Sequence, residues 1–248
     1  MSSSLSMNDP GTLRMAIVGC GQIVTHHVNA FAQLQQINAS ETSDKSLNLE
    51  VVALCDPDVK RRDIIKQQLL QSMNSEKREA LYKEFDSLTQ LLENENDESE
   101  ESRIKVDIVF ISVPHDLHET IAKEALHAGK HVVMEKPLAP TREACERLVQ
   151  EARKADKLFL ISEQSPYWQE VALAKKLVLQ DNKIGTVISA ASYFYESMRD
   201  NITSGMDEDG HLGWRCSLER CGGGIVIDGG LHWIRPLREI CGDVKRYE

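Results

Sequence analysis

The sequence predicts an α/β fold in which a doubly wound parallel sheet is followed by an incomplete α+β domain. Two observations carry this prediction. Short apolar runs alternate with helix-length segments over residues 13–162 of the 248-residue chain, which favours parallel strands joined by right-handed crossover helices. The hydrophobic fraction of 41% is large enough for a packed core, which excludes a wholly disordered protein.

Five apolar runs are typical of strands buried on both faces, because each is short and bounded by turn residues. They cover residues 13–18, 51–55, 106–113, 131–135 and 158–161. Helices are predicted at 23–36, 117–127 and 141–155, and the charged stretch 59–92 is predicted to be helical with a break near 73–75. After residue 163 the predicted elements are a helix at 167–180, a strand at 186–196 and an apolar helix at 222–241.

These elements divide the chain into three segments. Residues 1–13 are predicted to form a disordered tail, 14–162 the sheet domain and 163–248 a partial α+β domain. The tail lacks the basic and apolar regions of a secretory signal, and the six cysteines form no C-x-x-C pair. The sequence therefore favours a cytoplasmic protein in a reducing compartment.

The charge balance argues against two classes of partner. The chain has 29 Lys and Arg against 39 Asp and Glu, a formal net charge of −10. Nucleic-acid binding and docking on anionic lipid both need an excess of basic residues, so neither is expected. No apolar run approaches the roughly 18 residues of a membrane span. The acidic block at 93–101 lacks the glycine and the spaced ligands of a calcium loop, which favours a solvated loop.

The turn after the first predicted strand has the sequence Gly19-Cys20-Gly21-Gln22-Ile23-Val24. In such a turn the first glycine allows a tight bend, and the second lets the backbone approach a pyrophosphate at the N-terminus of the next helix. We therefore predict that Gly19, Gly21, Gln22 and Ile23 bind the phosphates of a dinucleotide. Val24 occupies the position of a third glycine, and an ordinary strand–turn–helix corner is the alternative.

Asp56 ends the second predicted strand. A carboxylate at this position accepts hydrogen bonds from the adenosine ribose and repels a 2′-phosphate, which favours NAD over NADP. Arg61 and Arg62 follow closely, and because an arginine here can accommodate a 2′-phosphate, NADP remains the alternative cofactor. The alternative is an Asp56 that serves only to form a turn with Pro57.

Three further motifs lie along the chain. They are Ser112-Val113-Pro114-His115-Asp116-Leu117-His118, then Ala128-Gly129-Lys130-His131-Val132 with Glu135-Lys136-Pro137, and finally Gly222-Gly223-Gly224-Ile225-Val226-Ile227-Asp228-Gly229-Gly230-Leu231-His232. Together they resemble the Gfo/Idh/MocA oxidoreductase family of glucose–fructose oxidoreductase and inositol dehydrogenase, over residues 14–246. The resemblance implies a Rossmann domain that binds NAD or NADP. It also implies hydride transfer between that cofactor and the CH–OH group of a sugar, polyol or related small molecule.

The same resemblance implies a set of site residues. Lys136 would orient the substrate hydroxyl and the cofactor, His232 would be the general acid/base, and Asp228 would orient and tune His232. Asp228 and His232 are four residues apart in one predicted helix, so they are expected to share a face. The Lys136–Pro137 peptide is expected to be cis. The implied cofactor contacts also include Val113, Pro114, His118, Glu135 and Lys136. A solvated surface lysine and an ordinary helix histidine are the alternatives.

The sequence departs from the family pattern where substrate contacts are expected. Arg235 occupies the last position of the H-x-x-D pattern, and Ser165-Pro166-Tyr167-Trp168 stands where the family often has an arginine. An ordinary sugar specificity is therefore not assumed. Trp214 and Arg215 resemble a substrate-loop pair of some members. No metal is expected, because the histidine pairs lack a third ligand nearby.

The resemblance also makes an expectation about length. Members usually carry a further run of about 100 residues, a domain of ordinary size through which subunits commonly pair. The chain is therefore expected to be C-terminally truncated, with a homo-oligomer possible but compromised. A non-catalytic NAD(P)-binding protein and an inactive truncated isoform are the alternatives to an active enzyme.

Overall fold

Six strands form one sheet in the order β3-β2-β1-β4-β5-β6. The pairings of β1 with β2 and β4, of β2 with β3, and of β4 with β5 are all parallel. The strands are β1 (Thr12–Val18), β2 (Asn48–Cys55), β3 (Lys83–Phe85), β4 (Ile108–Ile111), β5 (His131–Glu135) and β6 (Phe159–Ser162). The predicted α/β class with a doubly wound parallel sheet is confirmed.

The chain is described by a computed structural model over residues 12–40, 48–72, 82–97, 103–193 and 213–243. The helices in these segments are α1 (Val24–Ser40), α2 (Val59–Ser72), α3 (Leu88–Asn96), α4 (His118–His127), α5 (Arg142–Ala155), α6 (Gln169–Lys175), α7 (Leu218–Cys221), α8 (Gly224–Asp228) and α9 (Leu231–Cys241). Short 3-10 turns cover His115–Leu117, Ser165–Tyr167 and Trp214–Cys216, and a π-helical turn at Lys176–Gln180 extends α6. None of the helices in these segments is long and apolar enough to cross a membrane.

The core of the sheet is built from the apolar runs that predicted the strands. Met15 and Ile17 of β1, Leu54 of β2 and Phe110 of β4 belong to one cluster of buried residues, each at most 2% exposed. Helices cover both faces of a doubly wound sheet, so its strands are apolar in nearly every position. This arrangement places the ends of β1 and β2, where the predicted cofactor residues lie, on a rigid support.

The chain forms two compact units that alternate along the sequence. The first contains Met1–Val113, Leu117–Met134 and Arg147–Leu160, and the second contains Pro114–Asp116, Glu135–Glu146 and Ile161–Glu248. The short segments at 114–116 and 135–146 therefore join the second unit, although the sequence placed them before the boundary at residue 162. Each unit is described below by itself.

Four predicted elements differ from the structure. Residues 12 and 13 belong to β1 rather than to the tail, whose other residues lie outside the described segments. The stretch 59–92 is not one broken helix, because β3 separates α2 from α3. The predicted helix 222–241 is interrupted between α8 and α9.

The fourth difference is the predicted strand at 186–196. Residues 186–193 form no strand, and 194–196 lie outside the described segments. Ile188 and Tyr193 are 96% and 79% exposed, so the β-branched and aromatic residues that predicted the strand lack a partner surface. A strand needs neighbouring strands for its hydrogen bonds, and the described part of the chain contains none after β6.

Candidate active site

The glycine-rich turn joins β1 to α1 in the first unit. Gly19 has a φ of +87°, and a Cβ at this position would lie 2.1 Å from the carbonyl oxygen of Ser112. Only glycine fits such a position, because other residues rarely adopt this φ and the neighbouring backbone leaves no room. The Gly19 N–H donates to the carbonyl oxygen of Cys55 at 2.7 Å, which ties the turn to the end of β2.

The rest of the turn is open to a ligand. A Cβ on Gly21 would meet no heavy atom within 4 Å. The N–H groups of Val24 and Thr25 donate to the carbonyl oxygens of Gly21 and Gln22, so the helix starts as a tight turn. The N–H groups of Gln22 and Ile23 precede α1 and have no carbonyl of the helix to bind. This arrangement fits the pyrophosphate of a dinucleotide.

Asp56 is buried beneath the turn, with 6% of its surface exposed. Its Oδ2 accepts the Cys20 N–H at 2.8 Å, and its Oδ1 accepts the Asp58 N–H at 2.9 Å. The carboxylate therefore holds the glycine-rich turn in place, a role that sequence reasoning did not assign to it. Each oxygen keeps a second lone pair that can accept a hydrogen bond from a ribose hydroxyl.

The two arginines after Asp56 have carboxylate partners. Arg62 is buried, and its guanidinium donates to the carbonyl oxygen of Asp56 and forms ion pairs with Glu84 at 3.3 Å and Asp86 at 2.8 Å. The more exposed Arg61 lies 3.4 Å from Asp58. Arg62 is thus part of the framework that supports the end of β2.

The other predicted cofactor contacts, which lie after β4 and at the end of β5, are divided between the units. In the first unit, His118 is fully buried and its Nε2 lies 3.1 Å from the carbonyl oxygen of Val113. This contact fixes the loop after β4. In the second unit, Glu135 is buried and its Oε2 accepts the Lys136 N–H at 3.1 Å, while Pro114 is half-buried.

Lys136 and Asp228 form the centre of a polar cluster in the second unit. The Lys136 Nζ donates to the Asp228 Oδ1 and to the Asp228 carbonyl oxygen, each at 2.7 Å. The two side chains are only 15% and 19% exposed. The Lys136–Pro137 peptide is cis, as the resemblance implied.

Two more residues lie beside the Asp228 carboxylate, and a tryptophan packs against them. The Arg215 Nε donates to Oδ2 at 2.9 Å, and the His115 Nε2 lies 3.7 Å from Oδ1. Trp214 packs against both, since its ring centroid is 4.4 Å from that of His115 and 4.3 Å from the Arg215 guanidinium carbon. Burial opposes ionisation of Asp228, but Lys136 and Arg215 outweigh it and lower the pKa of this carboxyl. Asp228 is therefore an anion that holds two cations together.

His232 lies in the first turn of α9, opposite Glu163, which follows β6. The His232 Nδ1 and the Glu163 Oε2 are 2.8 Å apart, and both atoms are shielded from solvent. The two atoms are in close contact but do not satisfy the geometry of a hydrogen bond. His232 and Asp228 thus contact different residues.

An irregular helical turn joins Asp228 to His232. The N–H groups of Gly229 and Gly230 both donate to the carbonyl oxygen of Ile225, at 2.8 and 3.1 Å, which closes α8. Gly229 and Gly230, which lie between α8 and α9, keep right-handed helical φ and ψ angles. That Asp228 and His232 share a helical face stays a prediction.

Sequence reasoning missed His115, which lies beside Asp228, and Glu163, which lies beside His232. Neither was assigned a role, because only the fold brings them to these residues. No group of three or more metal-binding side chains occurs in the segments that the structure describes.

The fold and the glycine-rich turn define a dinucleotide-binding protein of the Rossmann type. The chain belongs to the Gfo/Idh/MocA family, whose model, described as an oxidoreductase family with an NAD-binding Rossmann fold, matches residues 13–163. The resemblance stated from the sequence is thereby confirmed.

Similar proteins agree with this assignment. An uncharacterized oxidoreductase of Schizosaccharomyces pombe is 33% identical over 131 residues, which cover 53% of this chain and 33% of that protein. The levoglucosan dehydrogenase of Pseudarthrobacter phenanthrenivorans is 28% identical over 138 residues, which cover 56% of this chain and 34% of that protein. A solved structure of a levoglucosan dehydrogenase in complex with NADH and levoglucosan has a TM-score of 0.68 at 21% identity, over 94% of this chain and 55% of that one. The matches thus span about a third of these curated relatives and about half of the solved chain.

Proposed function

We propose that this chain binds a nicotinamide dinucleotide and catalyses reversible hydride transfer at the CH–OH group of a sugar, polyol or related small molecule. The observation that carries the proposal is the ion pair between Lys136 Nζ and Asp228 Oδ1, which are 2.7 Å apart. Because largely buried ion pairs are costly to maintain, this one favours a functional role over a structural one.

The geometry supports a division of roles. An ammonium group has three N–H donors, and two of those on Lys136 bind Asp228. The third has no partner among the described residues and can donate to the substrate oxygen. His232 accepts the hydroxyl proton at Nε2 when the substrate is oxidised and returns it when the carbonyl is reduced. When bound, the nicotinamide takes the hydride from the carbon or gives it back.

The glycine-rich turn supports the cofactor assignment. The open space at Gly21 and the helix N-terminus that follows it suit a pyrophosphate. The family description names an NAD-binding fold, and the similar levoglucosan dehydrogenase was solved with NADH. These observations favour a nicotinamide dinucleotide over a mononucleotide.

We further propose that NAD is preferred to NADP. The buried carboxylate of Asp56 disfavours a 2′-phosphate. Arg62, one of the two arginines that left NADP open, is engaged with Glu84 and Asp86, and Arg61 is paired with Asp58.

A sugar or polyol is the proposed substrate class because one similar dehydrogenase is named for levoglucosan, an anhydrosugar, and a solved levoglucosan dehydrogenase of the same fold contains it. Trp214 and Arg215 are the proposed substrate contacts beside Lys136. An indole face suits the apolar face of a sugar ring, and a guanidinium suits its hydroxyl oxygens.

Binding and turnover are tested in sequence. NADH and NADPH are titrated into the purified chain by fluorescence, and tighter binding of NADH is expected. Anhydrosugars, aldoses and polyols are then screened for a change in nicotinamide absorbance. Binding without turnover across this panel would overturn the enzymatic function in favour of a non-catalytic NAD-binding protein.

Two variants test the assigned residues. Lys136→Ala and His232→Ala should each lower kcat by about 10²-fold or more, the scale of a positioned proton-transfer group. Lys154→Ala is the matched control, because this lysine is 70% exposed on α5. Turnover that survives in the double variant Lys136→Ala/His232→Ala would show that the roles are wrong.

A further inference from the structure

Glu163 and His232 form a second pair of facing side chains in the second unit, a carboxylate and an imidazole. The two facing atoms, Oε2 and Nδ1, are 2.8 Å apart and shielded from solvent. This pair is separate from the Lys136–Asp228 pair, and the resemblance to the family assigned no role to Glu163.

The carboxylate is itself held in place. The Glu163 Oε1 accepts the N–H of the fully buried Ser165 at 2.9 Å. Burial opposes ionisation of Glu163, but the hydrogen bonds from Ser165 and the nearby His232 outweigh it and lower the pKa of the carboxyl. Near neutral pH, Glu163 is therefore a fixed anion that faces one nitrogen of the ring.

We propose that Glu163 is a positioning residue that fixes the tautomer of His232. A carboxylate beside Nδ1 favours a proton on that nitrogen, which leaves the lone pair on Nε2. A neutral ring in this tautomer is ready to accept the proton of a substrate hydroxyl at Nε2. The proposal rests on the general-base role of His232 in the proposed function, but the tautomer can be measured without turnover.

The direct test is the nitrogen-15 NMR spectrum of the full chain with labelled histidine rings. The chain has 8 histidines, so the signals of His232 are assigned by their loss in His232→Gln. At a pH where the ring is neutral, we expect the proton on Nδ1 in the wild type. In Glu163→Leu we expect a shift toward the tautomer with the proton on Nε2, which free histidine prefers.

The matched control is Glu170→Gln, which removes a carboxylate from an exposed site on α6. Its His232 signals should be those of the wild type. A wild-type ring with its proton on Nε2 would overturn the proposal even if no Glu163 variant folded. The proposal would also fail if a folded Glu163→Leu kept the wild-type tautomer.

Kinetics provide the second readout once a substrate is found. Glu163→Leu should lower kcat about 10²-fold with little change in KM, because it misaligns the proton acceptor without removing a substrate contact. Glu163→Asp keeps the charge and should recover part of the loss. A rise in KM alone would show that Glu163 binds substrate instead. If no substrate turns over, the proposed function fails, whereas the tautomer measurement still decides the role of Glu163.

Discussion

Replacing Gly19 with alanine tests how the glycine-rich turn is built. The added methyl group would lie 2.1 Å from the Ser112 carbonyl oxygen and 2.9 Å from Val113 Cγ1. The carbonyl belongs to the backbone at the end of β4, where the Ser112 N–H donates to the carbonyl oxygen of Val18 at 2.7 Å. The obstacle cannot move without loosening the pairing of β1 with β4.

The expected loss of stability has two parts. A left-handed conformation costs an alanine about 1–2 kcal/mol, and forcing a methyl group into a filled space costs about 1–3 kcal/mol. Gly19→Ala should therefore lower the free energy of unfolding by about 2–5 kcal/mol. Gly129→Ala is the matched control, because its φ is +73° but the nearest atom, Lys157 Cε, is 3.9 Å away. This control should lose only about 1–2 kcal/mol.

Gly21→Ala separates folding from binding. Its Cβ would meet nothing within 4 Å, so the stability should stay within about 0.5 kcal/mol of the wild type. A methyl group would instead overlap with a pyrophosphate bound at the turn. This overlap should cost about 1–3 kcal/mol of binding free energy, which weakens NADH binding about 5- to 150-fold. Urea unfolding and NADH titration measure the two effects. Equal stability of the Gly19→Ala and Gly129→Ala variants would refute the steric requirement for glycine at position 19. Unchanged NADH binding by Gly21→Ala would refute the pyrophosphate contact at position 21.

Three further predictions concern stability and thiol reactivity. A hydrogen bond from Arg147 lowers the pKa of Glu119 from its usual value of 4.5 to about 2. The ionised Glu119 therefore stabilises the fold above pH 4.5, and this stabilisation is lost as the pH falls toward 2. Because Arg147 is 53% exposed, Glu119→Gln should cost only about 1 kcal/mol in urea unfolding at pH 7, and less at pH 3. Burial raises the pKa of Cys20 to about 12. In the native protein, iodoacetamide at pH 8 should therefore modify the exposed Cys216 and spare Cys20. Mass spectrometry measures which cysteine is modified. Leu54→Ala should lower the free energy of unfolding by about 2–5 kcal/mol in urea, because this side chain is fully buried.

The first unit was largely predictable from the sequence because its signals are local. An apolar run and a glycine-rich turn define β1 and its exit by themselves. β3 was missed because Lys83-Glu84-Phe85 is short and polar, and pairing with β2 alone makes it a strand. The predicted strand at 186–196 failed for the opposite reason, since residues suited to a sheet have no described neighbour to pair with.

The candidate site was only partly predictable. Lys136, Asp228 and His232 were found through the family resemblance, since no spacing rule connects residues 92 positions apart. His115 and Glu163 carry no motif of their own. Each becomes significant only when the fold places it beside Asp228 or His232.

The separate partners of Asp228 and His232 change how the site is expected to work. If Asp228 paired with both Lys136 and His232, its charge would be divided between them. Instead, the Asp228 carboxylate binds Lys136 and Arg215, while Glu163 faces His232. In the proposed mechanism, one carboxylate holds the cations that bind the substrate oxygen, and the other orients the base. Loss of either carboxylate should therefore produce a distinct defect: Asp228→Asn should weaken substrate binding and raise KM, whereas a Glu163 variant should lower kcat.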